Sequence, residues 1–313
     1  MSTELETSPC PMGCTAGDDF VLRGGDRING LPGEFTVVRC RTCGLMRTDP
    51  RPGAASMSMY YPDDYGPYRS SLDGSQPAWK RLGHALLESN ANRIPEQPPG
   101  TLLEIGCASG AYLKKMAADG WQVSGIEYSS LAGERARRLG FSVHIGSIET
   151  APPPAHKLDL VVGWMVLEHL YDPLLALRKL HEWSRTGASL VLSTPNAGAW
   201  EFRHFKEDWY ALHLPNHLYH FTPDTVRALL ARTGWRVERV LHQRTIANLV
   251  ASLGNRMERR NQNSSVARWL KGFPDHGRFA KVFSLPMAYL MAARGQTGRM
   301  TIWARRIDTD NRA

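Results

Sequence analysis

Long apolar runs are missing from this chain of 313 residues. The longest near the C-terminus, residues 282–293, is interrupted by Ser284 and Pro286 and falls far short of the ~20 residues a bilayer span needs. A basic-then-apolar leader is missing too, because the first residues, MSTELETSPC, are polar and acidic. A cytoplasmic protein is therefore expected. Cysteine is scarce. Four of the five cysteines form two close pairs, Cys10 with Cys14 and Cys40 with Cys43, and Cys107 stands alone inside a glycine turn. In a reducing compartment such pairs indicate metal before disulfide. Excess charge is missing from most of the chain: residues 250–313 hold 12 Lys/Arg against 4 Asp/Glu, which accounts for the whole net charge of +8. A basic region of this kind attracts phosphates, whether of a nucleotide-linked substrate, of lipid headgroups in a peripheral membrane contact, or of RNA; equally, it is what a solvated surface looks like. The length accommodates one large domain and a smaller module.

The stretch from 101 to 129, TLLEIGCASGAYLKKMAADGWQVSGIEYS, reads as strand, glycine turn, helix, strand. Residues 101–105 are apolar and end in Gly106-Cys107-Ala108-Ser109-Gly110; residues 112–119 carry Leu113, Met116 and Ala117 on one helical face; Gly120 stops that helix; residues 121–126 form a second strand ending at Glu127. In an open α/β sheet, ligands bind beyond the carboxyl ends of the strands. Glycines there let backbone approach a ligand that a Cβ would hold off. Glu127, 21 positions after Gly106, places a carboxylate where two ribose hydroxyls can donate to it. A dinucleotide fingerprint requires G-x-G-x-x-G. This chain has G-x-x-x-G, with Ala108 at the middle glycine's place and acidic Glu104 ahead of the turn, which disfavours a nicotinamide cofactor.

Cys10-x3-Cys14 and Cys40-x2-Cys43 are separated by 25 residues that include strand-like runs at 18–23 and 35–39 around a turn-rich segment, 24–33. Two such hooks can surround one Zn²⁺ tetrahedrally with no position left open, a structural zinc. A Pro-, Gly- and Tyr-rich linker covers 50–67, with Tyr65 or Tyr68 able to cap a cofactor or simply pack the module, and an amphipathic helix is expected over 76–94. Further along come a helix over 131–139, a third strand over 142–145 leading to Gly146-Ser147-Ile148-Glu149, and a continuously apolar strand, 158–163, of the type buried on both faces of a parallel sheet. Pro173 starts a helix to 184, and a fifth strand over 188–193 follows.

The segment 200–221 is crowded with aromatic residues and with His204, His213, His217 and His220. Pro215 argues against a helix joining His213 to His217, and no carboxylate in the loop completes a metal triad. Base catalysis suits it better, because imidazole titrates near neutral pH. Thr222 and Pro223 start a helix to 233; strands follow at 235–241 and 300–305, with candidate helices at 248–259, 266–271 and 281–292 between them.

Motif 104–110 resembles motif I of class I S-adenosylmethionine-dependent methyltransferases, and the run Val166-Leu167-Glu168-His169-Leu170 with Asp172-Pro173 resembles their fourth-strand motif. With the cysteine hooks, the Tyr60-Tyr61-Pro62 linker and Pro215-x-His217-x-x-x-Phe221, the whole chain resembles bacterial methyltransferases with an N-terminal zinc module, of sugar and polysaccharide gene clusters. The resemblance implies a Rossmann-like, mostly parallel α/β sheet of seven strands, with a zinc-ribbon-like module at 1–52, linker and helix at 53–98, a cofactor domain at 99–246, a helical insertion or lid at 247–298 and a last strand and tail at 299–313. It implies S-adenosylmethionine bound by Glu104, Gly106, Cys107, Ala108, Gly110, Glu127, Tyr128, Ser147, Ile148, Trp164 and Met165, and a base among His217, His220 and His169. In the sugar C-methyltransferases a Glu-His pair supplies that base, whereas here the pair reads Asn216-His217. The expected reaction is methylation of a small hydroxylated acceptor, a sugar or nucleotide-linked sugar, at oxygen or carbon. RNA methylation and a cofactor-binding module without turnover are the alternatives, and the absence of an N-P-P-Y-like motif disfavours nucleic acid.

Overall fold

The computed structural model describes residues 4–61, 90–276 and 283–308. Its centre is a seven-stranded sheet in the order β12-β13-β10-β9-β6-β7-β8. The strands are β6 (Thr101–Ile105), β7 (Gln122–Glu127), β8 (Ser142–Ile145), β9 (Leu158–Trp164), β10 (Ser184–Pro195), β12 (Trp235–His242) and β13 (Arg299–Arg306). β10, β9, β6, β7 and β8 pair in parallel, while β13 runs antiparallel between β10 and β12. The expected seven-stranded, mostly parallel architecture is thus present. β9 explains its own position at the centre. Leu158, Leu160, Val161 and Val162 are all fully buried, and each such side chain contributes about 1.5–3 kcal/mol of apolar burial.

The helices start and stop where their caps dictate. α1 (Ala111–Ala118) follows Gly110 and ends at Gly120. The Ser129 hydroxyl accepts the Ala132 N–H at the start of α2 (Ser130–Arg138). Asp172 caps α3 (Pro173–Trp183), and Thr222 with Thr225 forms a reciprocal capping box on α4 (Pro223–Ala231). The insertion contributes α5 (Ala247–Arg260), α6 (Ser265–Lys271) and α7 (Leu285–Ala293). α5 and α6 meet at Gly254, where an added Cβ would lie 2.5 Å from the Lys271 backbone nitrogen. The helix expected over 76–94 lies outside the described residues except for its end, where a 3-10 turn occupies Asn90–Asn92. Tyr65 and Tyr68 also lie outside them.

The cysteine-bearing segment builds a second sheet, in the order β11-β4-β3-β2. β2 (Asp18–Gly24) and β3 (Phe35–Cys40) occupy the runs expected from sequence. β4 (Met46–Thr48) and β11 (Tyr219–His220) do not appear in the sequence reading. β11 comes from the far end of the histidine-rich loop and pairs antiparallel with β4, Tyr219 opposite Arg47 and His220 opposite Met46. Close by, β1 (Leu5–Glu6) pairs with β5 (Arg51–Pro52). The N-terminal module and the main domain therefore share one sheet and one continuous apolar cluster, from Val37 and Tyr60 to Leu167 and Phe221.

Candidate active site and cysteine cluster

A cavity of about 700 Å³ opens beyond the carboxyl ends of β6, β7, β8 and β9. One wall is the turn after β6. Gly106 adopts φ +69°, and a Cβ on it would lie 2.5 Å from Val166 Cγ2, so a side chain is excluded by both conformation and space. Ala108, where the family's middle glycine would stand, adopts the left-handed region with φ 46°. Its N–H donates to Glu127 Oε2 at 2.8 Å, and the Ser129 N–H donates to Glu127 Oε1 at 2.8 Å. Glu127 therefore braces the turn and α2 while each oxygen keeps a lone pair for another donor. Burial raises its pKa although backbone N–H groups push the other way.

Two buried polar atoms flank this wall without hydrogen-bond partners among the described residues: Glu104 Oε2 and Trp164 Nε1. Burial, helped by the Glu127 charge, pushes the Glu104 carboxyl up to about 8. A glycine cradle, a carboxylate at the tip of the next strand and an orphaned carboxylate below suit an S-adenosylmethionine molecule, with its ribose hydroxyls and ammonium group. Ser147 and Ile148 from the loop after β8, and Met165 after β9, line the same space. Met165 is held at φ 57° by its N–H, which donates to the Ser193 carbonyl and hydroxyl at 3.0 Å each. Strain of this type gathers at ligand sites.

The opposite wall is imidazole. His169, His213 and His217 line the cavity, with the His217 ring centroid 4.7 Å from that of His169 and 4.9 Å from that of His213. No helix joins His213 to His217, as Pro215 requires; a 3-10 turn, Tyr210–Leu212, precedes them. Nδ1 of His217 lies 2.9 Å from the Ala211 carbonyl, an acceptor only, so Nδ1 carries the hydrogen and Nε2 keeps its lone pair. Nδ1 of His169 is 2.9 Å from the Asn216 carbonyl and 2.8 Å from the Tyr61 hydroxyl. Burial holds these rings neutral: His169 falls to about 3, with His213 adding to the effect, and His213 falls to about 4. His217 is held well below its usual value by burial and by the neighbouring histidines. The carboxylate nearest the His217 ring nitrogen comes from another element. Glu168, fully buried in the turn after β9, places Oε1 4.0 Å from His217 Nε2.

The structure thus brings Gly106, Ala108, Glu127, Tyr128, Ser147, Ile148, Trp164, Met165, His169 and His217 to one cavity. Glu104, Cys107 and Gly110 lie behind its lining: Cys107 is buried against Gly125, and Gly110 packs on Ala136. His220 is also off the lining. Its Nε2 lies 3.2 Å from the Thr48 hydroxyl, where it joins β11 to β4. His204 stacks on Trp200 and contacts Arg256, away from the cavity. Sequence reasoning missed Ile28 and Asn29 from the β2–β3 connection, and Met57, Tyr61, Tyr171 and Arg299. Only the tyrosine-rich stretch gave a signal for any of these.

The four paired cysteines converge. Cys10, Cys14, Cys40 and Cys43 place their sulfurs within 4.8 Å of one another, all as free thiols, with Cys10 and Cys43 sulfurs 3.5 Å apart. Thiolates around a tetrahedral Zn²⁺ lie about 3.8 Å apart, given Zn–S bonds of about 2.3 Å. The donor set and spacing fit that ion. Burial works against the Cys40 thiolate, but N–H groups of Cys43 and Thr42 outweigh it and hold this thiol near 7.

Strand order, glycine turn and acidic strand end together define the Rossmann-like methyltransferase fold. The chain belongs to the methyltransferase-domain family, whose model matches residues 78–240. A probable S-adenosylmethionine-dependent methyltransferase of Mycolicibacterium smegmatis is 31% identical over 120 residues, 38% of this chain and 46% of that relative. The chain thus matches less than half of that relative's length. A ubiquinone biosynthesis O-methyltransferase of Xanthomonas axonopodis pv. citri is 29% identical over 182 residues, 54% of this chain and 75% of the relative. Among solved structures, mycolic acid cyclopropane synthase CmaA1, complexed with SAH and CTAB, superposes with a TM-score of 0.50 at 17% identity, covering 82% of this chain and 99% of that one. That likeness is one of fold.

Proposed function

We propose that this protein transfers a methyl group from S-adenosylmethionine to a small hydroxylated acceptor, a sugar or nucleotide-linked sugar, with His217 as general base and one structural zinc on Cys10, Cys14, Cys40 and Cys43. The carrying observation is the His217 ring: Nδ1 is committed to the Ala211 carbonyl, so Nε2 keeps its lone pair, and the residue lines the cavity that Glu127 and the Gly106 turn also line. When bound, S-adenosylmethionine supplies an electrophilic methyl group. Every other task falls to this chain. Gly106, Ala108 and Glu127 would hold the nucleoside part, and Trp164 and Met165 the methionine end. Met57, Tyr61 and the β2–β3 connection also line the cavity, and alignment within it is the main contribution to rate. His217 Nε2 accepts the proton that the acceptor must lose, from a hydroxyl or from carbon beside a carbonyl. Asn216, whose Oδ1 is buried without a partner among the described residues, lines the same space and suits a hydroxyl donor.

The test follows labelled methyl from S-adenosylmethionine into fractionated extract of the source cells, with wild type run beside His217→Ala. Label in nucleotide-sugar or polysaccharide fractions that falls about 10²-fold in the variant supports the reading. Salt-sensitive label in RNA moves the acceptor to nucleic acid. Cofactor binding without label in any fraction leaves a binding module.

A further inference from the structure

We infer that Glu168 is a positioning residue that acts through the base: its carboxylate, 4.0 Å from Nε2 of His217, balances the charge of the imidazolium formed when that nitrogen takes the acceptor's proton. The inference rests on the reading of His217 as base. Four observations carry it. Glu168 is fully buried, and neither carboxyl oxygen has a hydrogen bond of good geometry among the described residues, although the Thr194 hydroxyl lies close enough to favour the ionised form. Its Oε1 stands 4.0 Å from Nε2, the one ring nitrogen of His217 that keeps a lone pair. The Leu218 N–H donates to the Glu168 carbonyl at 2.8 Å, which fixes the turn carrying Glu168 against the loop carrying His217. At position 216, where the resemblance places the glutamate of a Glu-His pair, Asn216 donates instead to the Tyr60 carbonyl at 2.8 Å.

The chemistry requires such a partner. His217 is surrounded by His169, His213 and His220, all neutral, and burial opposes any charge on its ring. An imidazolium formed there alone would be an unpaired buried cation. Glu168 faces His217 on one side, and the Thr194 hydroxyl and Arg299 stand near it on others. In the step, the acceptor O–H bond breaks and its electron pair bonds the methyl carbon, the bond from that carbon to sulfur breaks with its pair left on sulfur, and an Nε2–H bond forms. In the fraction of molecules whose Glu168 is ionised, its charge is unchanged through the step and is matched by the imidazolium. At 4.0 Å the carboxylate attracts the imidazolium across the gap, while the single Nε2–H stays directed at the acceptor oxygen. Burial pushes the Glu168 carboxyl up to about 8, so the carboxylate form grows as pH rises through that value.

The experiment uses the full zinc-loaded chain with ¹⁵N-labelled histidine and no acceptor. Long-range proton–nitrogen spectra are followed from pH 6 to 10 for wild type, Glu168→Gln and Glu168→Asp. His217→Ala identifies the resonance, and thermal melting checks each fold. The expected wild-type result is an Nδ1–H tautomer whose Nε2 resonance moves in one step near pH 8. The step is absent in Glu168→Gln and returns in Glu168→Asp. At pH 8.5 the extract-labelling rate of Glu168→Gln falls about tenfold or more, with recovery in Glu168→Asp. A wild-type Nε2 resonance that stays still, or a step that persists in folded Glu168→Gln, overturns the inference. So does a second metal equivalent that Glu168→Gln loses, because Glu168, His169 and His217 would then be ligands. If His217→Ala loses labelling while Nε2 stays still, only Glu168's role fails. Intact labelling in His217→Ala overturns the base reading itself.

Discussion

The hydroxyl of Thr48 donates to the carbonyl of His217 across 169 residues of sequence, at 2.8 Å, and its oxygen also lies 3.2 Å from Nε2 of His220. Because Thr48 is the last residue of β4, the cysteine-bearing sheet directly holds the backbone of the proposed base. Thr48→Val keeps the shape and removes both partners. It is expected to destabilise the protein by about 1–3 kcal/mol, the cost of leaving buried polar groups unpaired, in denaturant titrations. Thr48→Ser should recover most of the loss.

The cysteine cluster should bind about one zinc per chain in elemental analysis of purified protein. Cys10→Ser should lower that content and make the rest removable by chelator. Metal removal should then depress methyl transfer more than cofactor affinity, because β4 and β11 connect the cluster to His217 and not to the Gly106 turn. Full zinc retention in Cys10→Ser would refute the four-sulfur site.

Glu127→Ala should weaken S-adenosylmethionine binding about tenfold or more in calorimetry, since it removes a charge-assisted acceptor and frees the Ala108 and Ser129 N–H groups that shape the turn. Unchanged affinity would place the ribose elsewhere.

Glu104 links stability to pH. Its carboxyl is 3% exposed and is pushed from about 4.5 up to about 8 by burial and by the Glu127 charge. The folded state thus holds this proton more tightly than the unfolded chain. The associated stability is full below about pH 4.5 and is lost as pH rises through about 8. Above that value the ionised group costs on the order of 4 kcal/mol. Glu104→Gln should melt close to wild type at pH 5 and several degrees above it at pH 9. A constant difference across that range would mean that Glu104 is charged throughout.

Local pattern carried much of this fold. β9 was readable because its run of buried Leu and Val allows no amphipathic alternative, and the capped helices announced themselves through Asp172, Thr222 and the prolines after them. The Gly106 turn was readable because its left-handed backbone favours glycine, and Glu127 because it ends the second strand of the same strand–turn–helix unit. β4 and β11 were not readable. Two- and three-residue strands have no period to detect, and their pairing is a tertiary event. Glu168 was visible only as a motif letter; its approach to His217 depends on the turn after β9 meeting a loop some 50 residues later. His220 sits in the same histidine run as His217, yet the alternation of β11 aims it at Thr48 instead of the cavity.

The shared sheet also sets an order of assembly. Cys10 to Cys43 leave the ribosome early and can collect metal at once, but the edge of their sheet stays open until residues 219 and 220 arrive. That edge cannot close before the central strands β6 to β10 exist to carry those residues back. The last pairing of the cysteine-bearing sheet is therefore the one beside His217, and it waits for a strand made long after β4.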